Sequence, residues 1–116
     1  MTWEDQQRIN RFSRLNSQLA DAEEDMRQRR TEKDELDDLG MELELVDEEE
    51  RVLYRVGEAY VLLPHAEAIA QLEDDAARAA AQVDALQRVI DEHESEMSAL
   101  KRVLYARFGN NINLER

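Results

Sequence analysis

Apolar residues recur three and four positions apart through most of this chain, and that spacing sets its architecture. From Ile69 the steps run through Leu72, Ala76, Ala79, Val83, Leu86, Ile90, His93, Met97, Leu100, Leu104 and Arg107, with only His93 and Arg107 breaking the apolar character. A two-in-seven stripe held for about five heptads makes the seam of a coiled coil and is too narrow for the wall of a globular core. Glu73, Asp74, Arg78, Asp84, Arg88 and Asp91 fall between its members and form a solvated face. A second stripe lies earlier: Phe12, Leu15, Leu19, Ala22, Met26, Arg29, Lys33, Leu36, Gly40 and Leu43. Arg29 and Lys33 loosen it without ending it, because long basic stems cover an apolar seam while their heads reach water. The spacing predicts helices over about 3–47 and 66–108, followed by a tail over 109–116.

Between the stripes the period changes from helical to alternating. Val52-Leu53-Tyr54-Arg55-Val56 is β-branched and aromatic, Gly57-Glu58 follows, and Ala59-Tyr60-Val61-Leu62-Leu63 runs up to Pro64. Gly-X between two such runs is the signal of a type II′ turn, whose first position needs a positive φ. The pattern predicts a β-hairpin over 51–63 with Val56 facing Ala59, Tyr54 facing Val61 and Val52 facing Leu63. Two seams of similar length joined by a short connector fold back as one antiparallel coiled coil. A parallel homodimer of separate helices would leave the connector without a purpose. The expected fold is therefore mostly α, two long helices joined by a central hairpin.

A lone two-stranded hairpin is marginal in water, and its edges recruit other strands. Both faces of this one are largely apolar, and a narrow helical seam is expected to leave them uncovered. Hairpins from several chains would then join into a shared sheet or barrel.

Composition narrows the function. The 116 residues carry 28 acidic and 15 basic side chains, a formal net charge of −13. That charge repels phosphate backbones and anionic lipid headgroups, so neither nucleic acid nor membrane is expected as a partner. It is unevenly spread: residues 1–20 sum to +1, residues 97–116 to +3, and residues 21–96 carry −17. There is no cysteine, which removes disulfides, zinc-thiolate sites and thiol catalysis. No run of 18 apolar residues exists, and the chain opens on Met1-Thr2-Trp3-Glu4-Asp5 without a basic-then-apolar leader. The cytoplasm is the expected address.

Catalysis has little to stand on. His65 and His93 are the two histidines; one is expected at the start of the second helix and the other in the seam, and they do not share a zinc-binding helical spacing. The acidic runs at 47–50 and 73–75 lack the alternating ligands and glycine of a calcium loop. No phosphate-binding glycine loop is present. The expectation is a protein that is not an enzyme and that holds no metal or cofactor.

The ends of the two stripes carry apolar residues that lose their partners as a seam frays: Ile9, Phe12 and Leu15 on one arm; Leu100, Val103, Leu104, Tyr105 and Phe108 on the other. Gly109 reads as the residue that ends the second helix, and Ile112 and Leu114 follow in the tail. These residues read either as ordinary end packing or as an apolar patch for another protein's hydrophobic surface.

The two long helices, central hairpin and apolar tips together resemble the beta-type subunits of prefoldin, across essentially the whole chain. Trp3-Glu4-Asp5-Gln6-Gln7-Arg8-Ile9-Asn10-Arg11-Phe12 and Leu104-Tyr105-Ala106-Arg107-Phe108-Gly109-Asn110-Asn111-Ile112-Asn113-Leu114-Glu115 are similar to the terminal signatures of one eukaryotic branch of that family. The single hairpin agrees with the beta type; alpha-type subunits have two. The resemblance implies a subunit of a hetero-hexameric, ATP-independent co-chaperone of alpha- and beta-type chains whose hairpins build a double β-barrel. Its coiled-coil tips would capture unfolded proteins such as actin and tubulin chains and deliver them to the cytosolic group II chaperonin. Carried over by position, Val52, Tyr54, Val56, Tyr60, Val61 and Leu62 would form the subunit interface. Ile9, Phe12, Leu15, Leu100, Val103, Leu104, Phe108 and Ile112 would contact clients. The residues alone also admit a coiled-coil adaptor that oligomerises through its hairpin and captures nothing.

Overall fold

A computed structural model describes residues 2–115 of the chain. Helix α1 spans Trp3–Glu44, strands β1 and β2 span Arg51–Val56 and Ala59–Pro64, helix α2 spans His65–Phe108, and a 3-10 turn covers Gly109–Asn111. The chain divides into two compact units through which both helices pass. One, the terminal unit, joins the described residues up to Arg27 to those from Asp84 onward; the other, the hairpin unit, is Gln28–Val83.

The seam closes as the spacing predicts. In the terminal unit Phe12, Leu15, Leu19 and Met26 of α1 are buried with Ile90, Met97 and Leu104 of α2. Arg11 reaches across to Glu96 through two parallel hydrogen bonds, from Nε and a terminal nitrogen, at 2.8 and 2.9 Å. Arg29 and Lys33 are half-buried in the α1 stripe and pair along their own helix with Glu32 and Asp37. Basic heads directed to helix carboxylates leave the stems over the seam, which is how the stripe survives its interruption.

Helix α1 stops three residues before the expected 47. Leu45 and Val46 donate their N–H groups to the carbonyls of Glu42 and Leu43, three residues back, which tightens the last turn. Asp47 then accepts the Glu49 N–H on its own carboxylate at 3.0 Å. An Asp that bonds the backbone two residues on favours a turn over a further helical residue. At its other end α1 begins on a reciprocal cap. The Asp5 N–H donates to the Thr2 hydroxyl, and the Thr2 N–H donates back to the Asp5 carboxylate; together they satisfy two of the donors a helix start leaves open.

The hairpin has the predicted register: Val56 pairs with Ala59, Tyr54 with Val61 and Val52 with Leu63. Gly57 has φ +64°, and among the described residues no non-glycine has a positive φ, so Glu58 does not. That sign pattern belongs to type II′ and excludes type I′. Strand β2 runs through Pro64 directly into α2, where His65 Nε2 lies 2.8 Å from the Leu43 carbonyl. Nε2 is the donor in that contact, so the Leu43 carbonyl, which also accepts the Val46 N–H, ties the start of α2 to the end of α1.

One expectation fails in the hairpin unit. The hairpin is not left uncovered by its own chain: Tyr54 is 2% exposed and joins Leu43, Ala68 and Leu72 in one cluster, with Leu36, Leu39, Val52, Leu63 and Ile69 packed against it. The physical reason is Ala68. A methyl group beside the seam, fully buried, lets the sheet approach α2 closely, so the apolar stripe is wider here than two in seven.

Candidate assembly and capture surfaces

The face of the hairpin that carries Val52, Tyr54 and Leu63 is covered at the helix end and open at the turn. Val56 and Val61 share that face near the turn and are exposed. The other face carries Leu53 opposite Leu62 and Arg55 opposite Tyr60. Leu53 is 61% exposed, Tyr60 65% and Leu62 54%. Five large apolar side chains thus stand in solvent on twelve strand residues that pair only with each other. Contiguous apolar exposure of this kind marks an interaction surface, and each strand still has an outer edge able to accept another strand. Of the six residues expected at a subunit interface, Val56, Tyr60, Val61 and Leu62 present themselves. Val52 is half-buried and Tyr54 faces inward. Tyr54 instead donates its phenol O–H to Asp75 at 2.8 Å. Burial and that carboxylate push the phenol pKa well above its ordinary value, because ionising it would place a second anion beside Asp75 in a partly dry site. Leu53, which the sequence reading left out of the interface, is among the most exposed side chains of the hairpin.

The terminal unit holds the eight expected client-contacting residues, and the structure divides them. Leu15 and Leu104 are closed inside the seam and offer no surface in this conformation, and Phe12 is 3% exposed. Ile9, Leu100, Phe108 and Ile112 are half-buried, and Val103 is exposed. Trp3, the largest exposed apolar side chain of the unit, and Tyr105 add to the surface. Lys101 places its ammonium 5.9 Å from the centre of the Phe12 ring, a cation–π contact that covers the ring on one side.

A buried carboxylate, Asp5, organises the same unit. Its side chain is 0% exposed and receives Arg107 through Nε at 2.6 Å and a terminal nitrogen at 2.8 Å, as well as Arg8 at 3.0 Å. Burial pushes the carboxyl pKa up, but the bonds from Arg107 and Thr2 outweigh it and hold it below the ordinary value. The T-x-x-D start of α1 signals the cap, and Arg107 stands at a seam position where an apolar residue is expected. Those two oddities were the available sequence signs of the clasp, and neither alone points to the other.

Among the described residues no three His, Asp or Glu side chains gather as a metal site would, and no helix is long and apolar enough to cross a membrane.

Comparison with known proteins places this arrangement. A family model described as "Prefoldin subunit" matches residues 6–111, and the fold is that of the beta-type subunits. The prefoldin beta subunit from Thermococcus strain KS-1 superposes with a TM-score of 0.80 over 91% of this chain and 93% of its own, at 17% sequence identity. The chain belongs to the prefoldin family. Its curated relatives include prefoldin subunit 4 of Saccharomyces cerevisiae, 42% identical over 100% of this chain and 90% of the relative. They also include a probable prefoldin subunit 4 of Drosophila melanogaster, 36% identical over 99% and 83%, and prefoldin subunit 4 of Homo sapiens, 30% identical over 99% and 87%.

Proposed function

We propose that the chain is one subunit of a hetero-hexameric, ATP-independent co-chaperone. It joins other alpha- and beta-type prefoldin subunits through its hairpin, captures unfolded proteins such as actin and tubulin chains at its terminal unit, and passes them to the group II chaperonin of the cytoplasm. The observation that carries assembly is the exposed hairpin face of Leu53, Tyr60 and Leu62, together with Val56 and Val61 exposed on the opposite face near the turn. Burying it against neighbouring hairpins is worth about 25 cal/mol per Å2 of apolar surface before ordering costs.

Capture is supported by the apolar surface of Trp3, Val103 and Tyr105 and the half-buried Ile9, Leu100, Phe108 and Ile112. Each such surface is small, so a client is held weakly at any one tip. Several tips around one client give avidity without a tight site, and release stays fast.

The test is aggregation of chemically denatured actin diluted into buffer with the reconstituted complex. Trp3→Ser with Val103→Asp should weaken suppression severalfold while light scattering still shows a six-chain particle, because both side chains are exposed. Suppression equal to the parent's would count against capture at this surface. A stable particle of this chain alone, indifferent to added partner subunits, would favour the adaptor.

A further inference from the structure

The tail after α2 folds back on the terminal unit. Gly109 turns the chain with φ +59°, the 3-10 turn follows, and Ile112 leaves it with extended φ and ψ of −125° and 142°. The Leu114 N–H then donates to the Tyr105 hydroxyl of α2 at 3.3 Å. The Glu115 carbonyl lies 3.5 Å from the side-chain amide of Asn16 on α1. The tail is therefore tied to both helices. Ile112 is half-buried, and Leu114 is 7% exposed.

A cavity lies on the same side of the helix pair as the tail's two anchors. On α1, Asn16 lies between Phe12 and Leu19, one turn from each. On α2, Ser98, Lys101 and Tyr105 recur at helical spacing beside the seam. Phe12, Leu19, Met97, Ser98, Lys101 and Glu94 line an open cavity of about 220 Å3. The Arg11–Glu96 pair marks the other side of the helix pair: in an antiparallel coil, residues flanking the seam meet their own kind across it, Arg11 and Glu96 on one side, Asn16 and Lys101 on the other. Tail and cavity thus share one side: the tail's last described residue reaches Asn16, which stands between the cavity-lining Phe12 and Leu19.

We propose that this side of the terminal unit is a groove for an extended apolar-polar-apolar peptide segment, and that Ile112-Asn113-Leu114 is its built-in occupant, a strap that a client segment of the same pattern displaces. The occupant is argued from the tail itself. It is extended, its apolar residues lie two apart, and the surface takes up Leu114. What holds it is the Leu114 N–H bond, a long contact at Asn16 and the burial of Leu114, all of which a competing segment of the same pattern would remake, so exchange costs little. The proposal deepens the capture reading and rests on it for the identity of the competitor.

The experiment uses the reconstituted complex and a fluorescein-labelled peptide of sequence Gly-Asn-Asn-Ile-Asn-Leu-Glu, with binding read by polarisation. The parent, its own strap in place, should bind the peptide weakly. Leu114→Asp, which releases the strap, should bind it at least tenfold more tightly. A peptide carrying Asp in place of its Leu should bind neither. If Leu114→Asp lowers helix content by circular dichroism, a chain ending at Asn111 takes its place. The chain has no cysteine, so an Asn16→Cys, Glu115→Cys pair gives the converse: oxidation should abolish peptide binding and reduction should restore it. Equal binding by the parent and the released variants, or binding by none, overturns the strap. Denatured-actin aggregation is measured on the same samples. Suppression that persists without peptide binding sinks the strap and leaves capture standing; peptide binding without suppression does the reverse.

Discussion

Asp5 shows how much one side chain does in a chain whose charge is otherwise spread over solvated helix faces. It closes the first turn of α1 with Thr2, and it holds Arg107 from the last turn of α2 in a two-point clasp. Its pKa lies below the ordinary 3.8 because the bonds from Arg107 and Thr2 outweigh burial, which acts the other way. Glu96 is also lowered, chiefly by the hydrogen bond from Arg11. A carboxylate with a depressed native pKa contributes stability that is fully present above its unfolded value and is lost as the pH falls through the native one. Asp5→Asn should therefore lower the thermal midpoint at neutral pH, and the gap from the parent should narrow as the pH drops from the ordinary carboxylate value downward. Parallel midpoint curves would show that the clasp carries no charge-dependent stability. Gly40 points the opposite way. It stands inside α1 without a positive φ, and a Cβ built there meets only Leu72 Cδ2 at 3.4 Å, an ordinary contact. Gly40→Ala should raise stability by about 0.5–1 kcal/mol, since glycine in a helix interior loses about that much to alanine; thermal or urea unfolding would measure it.

At the scale of elements, the seams and the hairpin register were legible because both are local. All ten positions of the α1 stripe are buried or half-buried, and on α2 only Arg107 is exposed. A 3.5-residue repeat and a Gly-X turn each fix side-chain direction within a few residues. What the sequence did not disclose depends on contacts between distant segments: Ala68 under the sheet, Tyr54 on Asp75, Leu114 folded back. Nor did it separate the seam residues Phe12, Leu15 and Leu104 from the exposed Val103, since apolar character looks the same on either side of a helix surface. The hairpin's two anchors differ in kind. Tyr54→Ala should cost about 3–5 kcal/mol, the range for emptying a buried aromatic site, and should release the sheet from α2. Gly57 has nothing within 4 Å of a built Cβ, so its replacement costs backbone strain alone. Gly57→Val should lose about 1–2 kcal/mol, and Gly57→Asn, which tolerates positive φ, should lose less. Equal losses for the two would mean that the turn had changed type. Amide exchange of the β1 and β2 residues would report both variants.

For the molecule as a whole the governing fact is that five exposed large apolar side chains gather on the element least able to stand alone. Leu53 and Leu62 face each other across the strands, both mostly in solvent. Tyr54 on the opposite face fastens the same hairpin to its own helices. One chain therefore separates holding the sheet from offering it. Tyr54 and Val52 anchor it inside the subunit, while Leu53, Tyr60 and Leu62 are left for neighbours. This separation lets the two roles be tested apart, because the two sets of side chains project from opposite faces of the sheet. Leu53→Asp with Leu62→Asp places two like charges directly opposite each other on the exposed face, which is unfavourable in the pair itself by a few tenths of a kcal/mol to about 1 kcal/mol. That is small beside the buried cluster under Tyr54. The variant should keep the helix content of the parent yet fail to enter a six-chain particle when mixed with partner subunits, as read by light scattering. Assembly at parental yield would mean that subunits join through the strand edges alone and that the exposed leucines serve another purpose. Loss of helix content would mean that the hairpin's outer face supports the helices beneath it, against the burial seen here. The parental control matters too: an isolated chain with this face uncovered should associate with itself as its concentration rises, and the double variant should not.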